Sequence, residues 1–339
     1  MKENRGNTLA CTYPVLIPAL LAALLLGCGD SSQSMLGDFY VTNVASAYGE
    51  AKHVIEAALA DNDPVARVNA IEVVGTTGRV DLMPKVQRLV QDQYAPVRFA
   101  AALAVGDLQY SPAQRSLSPL LKDQDSNVIV AASYAMGRLG AVEYYQVVRQ
   151  AAQSKDETVR GNAVFLLGKI GDKGLLNVLK SVQEDTDSSD RVRFQALEAR
   201  ARLGDEEVLQ RLWAIVYSAY ADDRVLGIRA IGALGTPRAR EILVTKLDDA
   251  VLEARLAAAE QLGKLGDRTG EPQVLEVFEK NLAAGPDTQA GERINVFAAL
   301  AIGQIRTPAL TKYLPPLLKN ESKYVRIAAA KAVFQCNMR

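Results

Sequence analysis

Arginine is the chemically active residue type that this chain places with regularity. One register runs through Arg67, Arg98, Ile129, Arg160, Arg193, Arg224, Arg255, Asn295 and Arg326, at intervals of 31, 31, 31, 33, 31, 31, 40 and 31 residues. A guanidinium is a permanent planar cation, so such a column could grip an anion or brace a frame. Six residues before it stand Asp61, Asp92, Asp123, Asp187 and Asp249. Carboxylates at a fixed offset favour the frame, with charge-assisted hydrogen bonds joining turns to arginines of the same or adjacent copies. Residues for other chemistry are sparse. His53 is the single histidine, and the cysteines are Cys11, Cys28 and Cys336. No His-Cys-Asp grouping, paired metal motif or nucleophile elbow occurs. The glycines keep the arginine period, which marks them as packing and helix-ending devices rather than a phosphate loop. The expectation is no catalytic residue, no metal, no cofactor and no small-molecule substrate.

The elements that carry this column are legible in its neighbours. Three residues on come Ala70, Ala101, Ala132, Ala163, Ala196, Gly227, Ala258, Ala298 and Ala329; eight residues on, Gly75, Gly106, Gly137, Gly168, Gly232, Gly263 and Gly303. In the fourth copy Asp156 is placed to cap a helix and Glu157 to meet its positive end. Val159, Ala163, Leu166 and Leu167 follow at helical spacing, Gly168 allows a close helix crossing, and Gly171 supplies a left-handed stop. Leu175, Leu176, Leu179 and Val182 make a second helix. Each copy is a hairpin that cannot bury its apolar faces alone, so the chain is predicted to be all-α, a right-handed α-solenoid of stacked hairpins. Its composition suits thin, closely packed helices: 49% of residues are hydrophobic but only 6% aromatic. Lysine plus arginine and aspartate plus glutamate balance at 39 each, which argues against a nucleic-acid partner.

Departures from the period define the boundaries. The 33-residue interval is absorbed by the polar turn 184–190, and the 40-residue interval by a loop insertion near 281–291 around Gly285-Pro286-Asp287. Residues 36–60 lack the columns but contain Ala51, Val54, Ile55, Ala58 and Leu59, like a second repeat helix that caps the stack. The solenoid proper is 61–339, about nine copies, the last without a second helix, which leaves that end open. Cys336 lies in a column otherwise held by leucine or isoleucine, as a small core hydrophobe.

The first residues carry a different signal. Lys2 and Arg5 precede an apolar run from Pro14 to Leu26, too short to span a bilayer comfortably and long enough for a signal-peptide core. Leu25-Leu26-Gly27-Cys28 resembles a bacterial lipoprotein lipobox, although Leu26 stands where small residues are commoner. The resemblance implies a signal peptide at 1–27, lipidation of Cys28 and a tether at 28–35. It further implies a membrane lipoprotein, with Gly29 favouring the outer membrane facing the periplasm.

The 31-residue unit resembles the short HEAT-like repeats of the phycobilisome-lyase type over roughly Asp61 to Met338. That resemblance implies architecture more than activity, since bilin-attachment proteins, an iron-dependent hydroxylase and many scaffolds share it. The hydroxylase branch carries several His-Glu pairs; here Val54 follows the single His53. The expected role is a non-catalytic, membrane-anchored scaffold or adaptor that binds a protein or peptide of the cell envelope. The alternative is a lyase- or oxidoreductase-type enzyme built on the same repeats. Binding is expected along a groove lined by the second helices. There Arg88, Arg115, Lys122, Arg149 and Lys180 give way to Glu241, Asp248, Glu276 and Glu279, a charge gradient able to orient a partner. Trp213, the single tryptophan, shares a column with Arg149 and Lys180, and Tyr217 follows one turn later. With Tyr144 and Tyr145 they make an aromatic hot-spot candidate; a gap-filling role beside the altered turn is the competing reading.

Overall fold

The computed structural model describes residues 36–285 and 287–337, with side chains from Ala47 onward. The signal peptide and tether assigned to 1–35, with Cys28, lie outside the described residues. Among those described there is no strand, and no helix is long and apolar enough to cross a membrane.

The chain begins with an outer helix, α1 (Leu36–Ala58). Hairpins follow, each an inner helix and then an outer one. The first four are α2 (Pro64–Thr76) with α3 (Met83–Arg88), α4 (Ala95–Asp107) with α5 (Gln114–Leu117), α6 (Ser126–Arg138) with α7 (Tyr145–Ala151), and α8 (Glu157–Ile170) with α9 (Leu176–Glu184). Next come α10 (Asp190–Arg202) with α11 (Leu209–Ile215), α12 (Ala221–Leu234) with α13 (Pro237–Thr245), and α14 (Leu252–Lys264) with α15 (Glu271–Glu279). Then α16 (Thr288–Ile305) pairs with two short pieces, α17 (Pro308–Thr311) and α18 (Leu314–Leu318), and a final inner helix, α19 (Lys323–Cys336), closes the series.

The end that the sequence leaves open is closed. Helix α19 packs along α1 and touches α2, so α1 is the second helix that the ninth copy lacks, and the array is a ring. Tyr48 of α1 meets Phe334 of α19 edge-on at 5.4 Å between centroids, and the Arg79 guanidinium stacks 4.6 Å from each ring. Polar contacts finish the seam. Lys323 binds Asp61 at 3.1 Å and Asp63 at 3.0 Å, the Tyr324 hydroxyl donates to Asp63 at 2.6 Å, and Lys331 donates to Glu72 at 2.9 Å.

The small-residue columns explain the curvature. Residues of the alanine column are buried on inner helices, and the glycines beyond them admit the next backbone. A Cβ on Gly168 would stand 2.9 Å from the Cα of Ala199, and one on Gly303 would stand 2.7 Å from the Cα of Ala332. Inner helices therefore crowd while outer helices splay, and each copy is a wedge. As a result the second helices form the convex outer circumference rather than a concave face.

The arginine column ties each copy to the next. Arg98 donates to the Asp92 carbonyl of its own turn at 2.8 Å and to both oxygens of Asp123, one copy on, at 2.7 and 2.8 Å. Asp123 in turn accepts from the Asp125 amide at 2.9 Å, and Asp125 caps α6 through the Asn127 amide at 2.8 Å. Inter-copy bond, turn and helix start are thus one network. Arg67–Asp92, Arg160–Asp185 and Arg224–Asp249 repeat the bridge at 2.9, 3.2 and 3.1 Å. Asp185 holds the place expected of Asp187 because the two extra residues of this copy loop out beyond it; Asp187 is exposed. Arg193 pairs within its own turn with Asp190, and Arg255 and Arg326 reach only backbone carbonyls of theirs. At the seam Lys323 takes the arginine's part.

The other local expectations can be placed as well. Asp156 caps α8 through the amides of Thr158 and Val159, and Gly171 ends it in the left-handed region at φ 81°. The 281–291 insertion lengthens α16 at its start, where Asp287 is the cap and Arg293 reaches Asp222 and Glu253 of earlier copies. Cys336 is largely buried, and desolvation pushes its thiol up to about 11, so it is not a thiolate at neutral pH.

Candidate functional site

The outer circumference carries an apolar patch. Trp213 on α11 is 51% exposed and Tyr217, just after that helix, 53%, with ring centroids 4.9 Å apart and planes tilted by 52°. The buried ammonium of Lys246 lies 3.4 Å from the Tyr217 centroid and holds that ring from beneath. Val244, which occupies the Trp213 column one copy later, is also exposed, and Tyr220 stands 73% exposed in the turn before α12. Aromatic rings held by packing but left in solvent lose little entropy on binding, which makes them effective anchors.

The remaining candidates separate. Arg149 and Lys180 are exposed on the same circumference, two copies and one copy before Trp213; Lys180 faces Glu207 at 3.5 Å. Tyr144 and Tyr145 are half-buried. The Tyr145 ring fills the space beside Gly137, where a Cβ would clash with it, and burial raises its hydroxyl pKa. Both tyrosines are packing residues of the third copy and do not join the patch. Tyr220 was missed. It stands at the helix-capping position held by Asp63, Asp125, Asp156, Ser189 and Ser322 in other copies, and it makes no side-chain cap bond. An aromatic in place of a cap was the available signal, because a side chain that gives up a capping hydrogen bond needs another reason to be there.

A second arrangement, on the ring axis, had no counterpart in the sequence reading. Five residues beyond the arginine column stand Glu72, Tyr134, Phe165, Glu198, Arg229, Glu260 and Lys331; nine beyond it stand Asp107, Arg138, Lys169, Arg202 and Lys264. Their contacts join copies that are adjacent or two apart. Lys169 binds Asp107 at 2.8 Å two copies away, Arg229 lies 5.1 Å from the Phe297 centroid, and Arg202 lies 5.4 Å from that of Phe165. Tyr134 is buried and donates to Asp107 at 2.8 Å; burial and that carboxylate together push its hydroxyl pKa far up. On a lone amphipathic helix these positions read as solvated, and only closure turns them inward.

A model of HEAT repeats matches residues 51–137 and 145–226. The repeats in these two stretches are HEAT repeats. No curated protein matches it. Among solved structures, human deoxyhypusine hydroxylase in complex with glycerol is similar at 18% identity, covering 78% of this chain and 99% of that one, with a TM-score of 0.37. The complex of CpcE and CpcF of phycocyanin lyase from Nostoc sp. is similar at 18% identity, covering 74% and 93%, with a TM-score of 0.39. Importin beta is similar at 16% identity, covering 86% of this chain and 47% of that one, with a TM-score of 0.36. HEAT repeats are a frame for many activities, so function is argued from the sites. His53 is exposed, with Glu56 4.0 Å away, and no group of three His, Cys, Asp or Glu able to hold a metal occurs among the described residues.

Proposed function

We propose that this HEAT-repeat ring is a non-catalytic adaptor that captures a protein or peptide partner of the bacterial envelope on the outer patch around Trp213. The observation that carries this reading is the exposed Trp213–Tyr217 pair, continued by Val244 and Tyr220 and approached by Lys180 and Arg149. It has an apolar centre and a basic flank, the composition of a hot spot with its rim. The closed inner face is filled by side chains, which leaves the circumference and the two flat faces for a macromolecular partner. Lipid on Cys28 would hold the ring at the membrane through more than one acyl chain, because a single chain attaches only reversibly.

Two substitutions test the two halves. Crosslinking in intact cells, followed by capture and mass spectrometry, is expected to recover a reproducible envelope protein. Trp213→Ala is expected to weaken its capture by roughly thirtyfold, the effect of losing a hot-spot residue worth about 2 kcal/mol, with the helical signal of the ring unchanged. Capture that survives Trp213→Ala would remove the patch as the contact face. Recovery of the ring alone with a bound chromophore would favour the lyase-type alternative. Cys28→Ala is expected to move the protein from the membrane to the soluble fraction, and unaltered partitioning would refute lipid anchoring.

A further inference from the structure

The inner side of the seam is hollow. A cavity of about 80 Å³ is lined by α2, α16 and α19, and α2 joins the other two only because the ring is closed. One water needs roughly 10–15 Å³ on this measure, so the space takes a molecule of about six heavy atoms. Its lining has two characters. Val296 and Leu300 of α16 and Ile327 of α19 make an apolar wall, and Asn69 and Glu72 of α2 with Lys331 of α19 make a polar corner. That corner is not used up by its own contacts. Lys331 spends one of its three N–H donors on Glu72 Oε1 at 2.9 Å. Glu72 Oε2 and the Asn69 amide make no side-chain hydrogen bond among the described residues, and both reach open space. The Tyr324 hydroxyl, also at the border, is already committed to Asp63 at 2.6 Å.

The charges of Glu72 and Lys331 cancel, so the corner offers acceptor and donor side by side with no net charge. Both side chains are largely buried, and there an ionic occupant would be repelled by one of them as strongly as it is drawn to the other. From this cavity we infer that the seam binds a small uncharged molecule with an amide or hydroxyl head and a short aliphatic body. The head donates to Glu72 Oε2 and accepts from Lys331 or from the Asn69 amide, and the body lies against Val296, Leu300 and Ile327. Such pockets are apolar with a few convergent polar groups that fix orientation. Parting α19 from α2 dismantles the polar corner, so the ligand is held by the closed ring alone and its binding stabilises closure. The site is separate from the outer patch and needs no partner there.

Isobutyramide is the probe, titrated into the full chain and followed by ligand-observed NMR, with isobutyrate and isobutylamine as its anionic and cationic analogues. Saturable binding of the amide is expected, at least fivefold tighter than that of either ion. Asn69→Leu is expected to weaken it at least fivefold. Val296→Phe, which fills the apolar part, is expected to abolish it, and Lys180→Met on the outer circumference to leave it unchanged. With the amide at about nine times its Kd, hydrogen exchange of the α19 amides that open with the seam should slow about tenfold. An amide that does not saturate, or that binds no better than the two ions, overturns the site and leaves the cavity to ordered water. So does binding that survives Val296→Phe. If Val296→Phe does not fold, the analogue series and Asn69→Leu decide.

Discussion

Ile55→Asp is expected to unfasten the ring. Ile55 is fully buried on α1, the helix that serves both ends of the array. Truncating such a residue costs about 2–5 kcal/mol, and a carboxylate there adds the cost of an unpaired buried charge. Undocking α1 relieves that charge but exposes Phe334 and strips the first copy of Lys52–Asp81 and Lys85–Glu56, at 3.1 and 3.0 Å. A closed ring has as many interfaces as copies, and an open array has one fewer and two fraying ends. The variant should therefore show a larger radius of gyration in solution scattering and fast hydrogen exchange in both α1 and α19. His53→Asp, two residues away on the exposed face, should stay within about 0.5 kcal/mol of the parent. An unchanged radius and unchanged exchange in Ile55→Asp would mean that α1 does not close the ring.

The same seam should weaken in acid. The backbone amide of Asp63 and the Lys323 ammonium hold the Asp61 carboxyl below its ordinary value. Burial works against Asp63, but Tyr324 and Lys323 outweigh it and lower that group too. Depressed carboxyls contribute stability that is present above about pH 3.9 and lost as pH falls through the folded values, so the seam contacts weaken below that point.

What could be read from the sequence was what each copy states for itself. The alanine and glycine columns, the cap at Asp156 and the stop at Gly171 are local, and they sit where their spacing put them. The arginine column was legible as a frame, though its carboxylate partner is one copy ahead, a distance that only stacking fixes. Closure was not legible, because α1 carries none of the columns and its contact with α19 joins residues almost a chain length apart. The curvature that brings them together is a sum over nine wedges and is written in no one of them. The axial charges were missed for the same reason. Trp213 was found because it broke its column, whereas Tyr145 looked similar but was packing against Gly137.

The pair Glu72–Lys331 tests whether the inner layer closes as well as the outer. Lys331 is 3% exposed and is neutralised by Glu72 at 2.9 Å, from helices at opposite ends of the chain. Removing one partner of a buried pair leaves a stranded charge, at a cost of about 3–5 kcal/mol, whereas replacing both with apolar residues is often neutral or stabilising. A cavity of about 80 Å³ bordered by Asn69, Glu72, Tyr324 and Lys331 adjoins the pair, large enough for water that would soften the penalty. Glu72→Leu alone is therefore expected near the lower end, at about 3 kcal/mol by urea unfolding. Glu72→Leu with Lys331→Met should recover most of that loss, so that the two single costs do not add. If the two single substitutions cost under about 1 kcal/mol each and simply add, the pair is solvated like an exposed one. The inner helices would then part at the seam, and α1 alone would hold the ring shut.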